Sequence, residues 1–532
     1  TIVIGPEYLE WRSCRCLASS AGIDGMCHSC PSGGFCPGGN GVLYARKGYW
    51  CDLEPFLLGE PLRRCQLCAP GYCCHGPSPC RIEEQCSGGR VGVLCGSCPP
   101  GHSEAIGGSE CLHDGDGCDA AKWMVPLVLL ATGAWVVYMV MSFRPVSGNR
   151  RLYVGPANLV VFFYQIAPLV SRGLEPDLGF LSDILVSAFN LDIRATRSRG
   201  LCFVPGLTSR TKLVLKGMLP LVALTWTAVL GVVQFLRYSV KPTAYASATS
   251  ESLSSELQTR RPVVHRRWKQ GVIDSVLTSL SLGYSTLVQT FFGLLHCVPL
   301  DNLGLRLLLS GDVECYQPWQ LGLLAGVAIL AAYPIALALW LRRQLAYVGF
   351  PQSAAEDFTC PYEGSRRLWP VLMFAERFVL LLVSSFATPR SRPLLLCFIL
   401  LAMLAGHMTL RPFRDSAINA LDSFFLILLA SLATLSASAT LYQLEPVSDV
   451  DSKLAPFNVA AACIFAAPFA AVVVLLFGVK FLRFSRFLKS VDERSQPWHT
   501  ETPSLKSDPK LPVFVPALEE IDGEANGMVV FC

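Results

Sequence analysis

Charge is what this 532-residue chain has least of: only 16% of its residues are Asp, Glu, Lys or Arg, where soluble chains carry about a quarter. The shortage is uneven. It falls in long apolar blocks beyond residue 118, while the first 118 residues are polar and rich in Gly, Pro and Cys. A formal net charge of +4 is too small to argue for a nucleic-acid partner. Catalytic signatures are lacking too. No Gly-rich phosphate loop, His-Glu-x-x-His, Gly-x-Ser-x-Gly or kinase motif occurs, so neither an enzyme nor a bound cofactor is expected. There is no Asn-x-Ser/Thr sequon, so N-glycosylation is not expected. The chain opens at Thr1 with no Met and no signal peptide, as expected of a processed product or a fragment of a longer protein.

Cysteine, by contrast, is abundant and concentrated. Of 23 cysteines, 16 lie between Cys14 and Cys118. So dense a segment with so few apolar residues cannot build a conventional core, and it reads as a disulfide scaffold in an oxidising compartment. The candidates are Cys14, Cys16, Cys27, Cys30, Cys36, Cys51, Cys65, Cys68, Cys73, Cys74, Cys80, Cys86, Cys95, Cys98, Cys111 and Cys118, with connectivity left open. Three CxxC pairs (Cys27/Cys30, Cys65/Cys68, Cys95/Cys98), with His28 and His75 nearby, also admit zinc or dithiol chemistry. Compartment favours structural bridges and no metal. Turn sequences such as Pro-Ser-Gly-Gly and Pro-Pro-Gly-His punctuate the head, and no helical or strand period is long enough to assign.

A bilayer core about 30 Å thick takes about 20 apolar residues in helix. On that criterion the spans are 123–143, 153–171, 213–236, 272–296, 319–340, 368–388, 393–410, 419–442 and 457–479, the second weakened by Gly155, Pro156, Asn158, Gln165 and Pro168. Trp123, Trp319, Trp340 and Trp369 sit at span ends, as interfacial belts favour. With nine crossings and the head outside, the inner loops hold 16 Lys/Arg against 10 in the outer ones; with eight, the two sides tie at 13. The positive-inside rule therefore selects nine, although Arg194, Arg197, Arg199 and Arg210 make 172–212 a basic outer loop. Its stretch 178–190 reads as an interfacial helix or part of the bundle. Nine crossings also put Cys297 and Cys315 in one outer loop, where they can bridge.

Two resemblances follow from motifs. Cys27-x-x-Cys30-Pro-x-Gly-x-x-Cys36-x-Gly-Gly, Lys47-Gly-Tyr-Trp50 and Arg90-x-Gly-x-Leu-Cys95-Gly-x-Cys98-x-x-Gly101-His-Ser resemble the growth-factor-receptor/ephrin-receptor (EGF-like) cysteine-rich repeats. Such repeats precede multi-pass regions in surface proteins of unicellular eukaryotes. This resemblance implies an extracellular module and a plasma-membrane location, not an activity. Arg366-Arg-Leu-Trp369, Glu376-Arg377, Leu410-Arg-Pro-Phe413 and Asn419-Ala-Leu-Asp422 are similar to transient-receptor-potential-like and polycystin-like membrane proteins. That likeness implies a six-helix channel unit with its pore between the last two helices. The connection there, 443–456, is short for a pore helix and filter, although Glu445, Asp449 and Asp451 could attract cations.

Charges inside a span are costly and tend to be functional. Glu376 and Arg377 read either as a paired or snorkelling interfacial duo or as a gating or coupling pair that faces the bundle and engages Arg411 or Asp422. His407 reads as a packing residue before a proton relay. The run Arg260-Arg261-Pro-Val-Val-His265-Arg266-Arg267-Trp268-Lys269 sets orientation and suits anionic inner-leaflet lipid. Pro220, Pro334 and Pro468 are expected to kink their helices. The expected architecture is an all-α membrane bundle of about nine helices (119–489), a disulfide-rich extracellular domain (1–118) and a disordered cytoplasmic tail (490–532). The function classes are a receptor or sensor whose head binds protein or matrix, a cation channel, and, least supported for want of inverted repeats, a transporter or lipid-handling protein.

Overall fold

The computed structural model describes, with short breaks, residues 20–118, 123–141, 148–171, 204–240, 251–346, 354–444 and 454–474, together with Leu17, Leu174 and Cys202. Cys14, Cys16, the stretch 178–190, the acidic residues Glu445, Asp449 and Asp451, and the tail 490–532 lie outside the described residues.

The head consists of very short strands: β1 (Ser20–Ile23), β2 (Met26–Ser29), β3 (Gly34–Phe35), β4 (Tyr44–Ala45), β5 (Tyr49–Trp50), β6 (Gln66–Leu67), β7 (Cys80–Arg81), β8 (His102–Glu104) and β9 (Cys111–His113). They pair antiparallel as β1–β2, β3–β4–β7, β5–β6 and β8–β9. Two to four residues per strand is too little for a strand period to show in sequence. Covalent links take the place of ladders. Bridges join Cys30–Cys36, Cys51–Cys65, Cys68–Cys73, Cys74–Cys80, Cys86–Cys95 and Cys98–Cys111, and Cys27 is bonded as well. Every CxxC sulfur is thus in a bridge with a cysteine outside its own motif, which leaves none as a thiolate for zinc or dithiol exchange. Gly33 shows how tightly these turns close. Its φ is +85°, and a Cβ there would lie 2.4 Å from the Tyr49 ring.

Beyond the head come α1 (Met124–Met141), α2 (Gly148–Val170), α3 (Ser209–Val240) and α4 (Glu251–Leu295). A three-stranded sheet follows, β10 (Cys297–Leu300), β11 (Gly304–Leu307) and β12 (Ser310–Glu314). Then come α5 (Pro318–Ala346), the short α6 (Ala354–Thr359), α7 (Trp369–Phe386), α8 (Arg392–Leu410), α9 (Ser416–Leu444) and α10 (Leu454–Val474). Among the described residues, seven helices (α3, α4, α5 and α7–α10) are long and apolar enough to cross a membrane. The first two expected spans have apolar stretches of only Val125–Met141 and Gly155–Val170, short of the roughly 20 residues a bilayer core takes. Ile329 and Phe398 are about 70% exposed on the bundle's outer face, where only lipid makes such surface tolerable. α4 has 45 residues and is about 68 Å long, more than twice the core thickness. Its N-terminal half contains the basic stretch 260–269.

Helix contacts follow the rule that small residues let backbones approach in lipid. Along the antiparallel α3–α4 seam, Gly217 meets Thr290, Gly283 meets Pro220, and Thr227 shares a 3.2 Å hydrogen bond with Ser275. A Cβ on Gly283 would lie 2.4 Å from the Pro220 ring. Pro334 in α5 has no N–H for the Leu330 carbonyl one turn back, and the Tyr284 hydroxyl of α4 donates to that oxygen instead at 2.9 Å. A proline expected only to kink its helix therefore also ties α5 to α4.

Candidate functional site

Two places bring polar side chains together away from water: the joint between head and bundle, and the interior of the bundle. Thr1–Pro468 forms one compact unit and Phe469–Cys532 a second, and both places lie in the first.

The joint is built around Glu104, the last residue of β8, which is buried. Backbone bonding aligns it, with Glu104 N–H donating to Leu207 O at 2.9 Å and Gly206 N–H to Ser103 Oγ at 2.6 Å. The connection into α3 is thereby held against the head. The Glu104 carboxylate then collects donors from both sides. Tyr72 Oη (2.7 Å) and Arg90 Nη2 (3.3 Å) come from the head; Lys212 Nζ (2.8 Å) and the Ser209 hydroxyl come from the first turn of α3. Arg90 also donates to Ser209 Oγ, Cys95 O and Ser109 O, and its guanidinium lies 3.5 Å above the Tyr72 ring. Burial alone would raise the Glu104 pKa. Lys212 and Arg90, with hydrogen bonds from Lys212 and Ser209, outweigh burial and hold it below the ordinary glutamate value.

Covalent and apolar links reinforce this joint. Cys118 is bonded to Cys202, which brings the entry to α1 beside the entry to α3. Cys297 is bonded to Cys315 and closes the β10–β12 sheet. Val298 and Leu300 of β10 enter the head's own core with Trp50, Tyr72 and Leu94. Gly311 touches the head so closely that a Cβ on it would lie 2.3 Å from Val93 O. A cavity of about 250 Å³ opens here, lined by residues that include Ser97, His102, Glu104, Thr208 and Asp312. It lies below the roughly 300 Å³ at which small-molecule sites begin.

Inside the bundle, Glu376 and Arg377 attract one another but hydrogen-bond to different partners. Neighbours on a helix point about 100° apart, and each has its own partners. Arg377 donates to Ser281 O of α4 at 3.0 Å and lies over the rings of Phe162 and Phe374. Gln165 of α2 reaches the same turn of α4, donating to Ser281 O and Leu282 O and accepting from Ser285 Oγ. One of the polar residues that weakened the second span thus anchors it. Glu376 faces His407 of α8 at 3.1 Å, and the other ring nitrogen of His407 lies 2.5 Å from Asp422 Oδ2 of α9. The expected contact of Glu376 or Arg377 with Arg411 is replaced by one from Arg366, which donates to Arg411 O at 2.8 Å. His407, expected to be a packing residue, is a bridging one.

Among the described residues, the pore-lining candidates cannot be placed, since the connection after α9 falls outside them. No family model, no curated protein and no solved structure matches the chain. The two resemblances therefore rest on their motifs.

Proposed function

We propose that the chain is a multi-pass surface receptor or sensor whose cysteine-rich head faces the extracellular space and is mechanically continuous with the bundle. The observation that carries this reading is the buried Glu104 cluster, in which head and helix donors share one carboxylate. A head needed only for adhesion could hang on a flexible linker. Here it is fixed at α3 by charge, at the segment leading into α3 by the Cys118–Cys202 disulfide and at β10–β12 by shared core, so a ligand bound to it displaces helix ends directly. The bridges of the head favour an oxidising, outer location. Seven crossings or nine, both odd, take the chain from one side of the bilayer to the other. Cys360, which this topology assigns to the inner side, is also disulfide-bonded, and the topology does not explain that bond.

The receptor reading expects protein reconstituted in planar bilayers to conduct no ions. Cation-selective openings from the purified chain would overturn it in favour of a channel.

A further inference from the structure

The charges of the intramembrane cluster do not cancel unless a proton is counted. Glu376 and Asp422 contribute two negative charges and Arg377 one positive charge, all on buried or nearly buried side chains. With a neutral His407 the sum is −1; with an imidazolium it is zero. Unscreened charge is costly in a medium without water, so the neutral sum is strongly preferred.

Geometry gives the same answer independently. Both ring nitrogens of His407 face carboxylate oxygens, Nδ1 at 2.5 Å from Asp422 Oδ2 and Nε2 at 3.1 Å from Glu376 Oε1. Between two ionised carboxylates a neutral imidazole, with one N–H and one lone pair, would set lone pair against lone pair at one contact. An imidazolium donates to both. The other groups around the ring do not satisfy it in place of a proton. Trp369 of α7 stands edge-on at 4.8 Å with its Nε1 unpartnered, and Glu376 Oε2 is buried and unpartnered. Arg377 is turned towards α4, beside Tyr284 and Tyr333 of α5 and Tyr362 ahead of α7. The Tyr362 hydroxyl donates to Met373 Sδ and is also hydrogen-bonded with Asn158.

We infer that Glu376, His407 and Asp422 form an intramembrane proton-binding site, in which one dissociable proton on His407 ties α8 to α7 and α9. Its loss leaves a repulsive contact on one side of the ring and a net charge in the bundle, so proton occupancy controls how these three helices pack. The site is independent of the head and stands whether or not the head is a receptor.

The test is nitrogen NMR of the full chain, histidine-labelled with ¹⁵N and placed in phosphatidylcholine nanodiscs at neutral pH. The His407 signal is assigned by its loss in His407→Asn or, should that variant not fold, by the shift that Trp369→Phe causes. The expected spectrum has both ring nitrogens protonated in the wild type and a neutral tautomer in Glu376→Gln/Asp422→Asn. A neutral imidazole in the wild type overturns the site, and so does an imidazolium that persists in the double variant. The wild-type arm decides even if the double variant does not fold.

Discussion

Glu104→Ala should loosen the head from the first turn of α3 at a cost of about 3–5 kcal/mol, the range for breaking a buried ion pair from one side. The size follows from what is left behind. Arg90 has no exposed side-chain surface and Lys212 only 12%, so neither cation can recover its hydration without the joint opening. Tyr72 also loses its acceptor, while the Ser209 hydroxyl keeps only Gly96 O. Hydrogen exchange is the readout: the N–H groups of Glu104 and Gly206 should exchange much faster in the variant, while the disulfide-closed loops around Trp50 should not. Unchanged protection at the joint would show that the carboxylate holds nothing together. The same residue fixes a pH dependence. Because the folded carboxyl sits below its ordinary value, its contribution is complete above the unfolded-chain value of about 4.3 and is lost as pH falls through the lower, folded value. The joint should therefore weaken in acid, and Glu104→Gln should flatten that dependence.

Replacing both Cys118 and Cys202 by Ser should cost about 2–4 kcal/mol. The bridge closes 84 residues of sequence, a long loop whose closure restricts the unfolded chain strongly. α1 and α2 lie inside that loop and are apolar, so lipid already confines them and the gain falls below that of a free chain. The variant should melt at lower temperature in detergent than the wild type. Proteolysis under non-reducing conditions should release a linked Cys118–Cys202 peptide from the wild type. Two free thiols at these positions would remove the bond and with it one of the three ties of head to bundle.

What the sequence made legible follows physical range. Composition alone separated a cysteine-dense head from lipid-soluble helices, because both properties are local. The Cys297–Cys315 bridge could be proposed because topology confined both residues to one short loop. Cys202 was overlooked as the partner of Cys118, 84 positions away, although a lone cysteine in a loop assigned to the oxidising side was a signal. The β10–β12 sheet was missed in a loop read only for charge and for its disulfide, although Asp301-Asn-Leu-Gly304 is a turn signal between apolar stretches. His407 seemed isolated because its partners arrive from α7 and α9, 31 and 15 residues away. Adjacent in sequence, Glu376 and Arg377 suggested a pair, but the hydrogen bonds that each makes to another helix were not legible.

The account turns on head and bundle moving as one body, which double electron–electron resonance can measure. With Cys397 and Cys463, the free cysteines among the described residues, replaced, spin labels go on Glu83 of the head and Arg390 between α7 and α8, both exposed. Phe386, at the same end of α7, lies 5.5 Å from His296 beside the β10–β12 sheet, so the second label reports on the end of the bundle that meets the head. One narrow distance distribution in nanodiscs, broadened by Glu104→Ala, is the predicted result. A broad distribution in the otherwise wild-type protein would contradict it, for it would describe a head swinging on a tether.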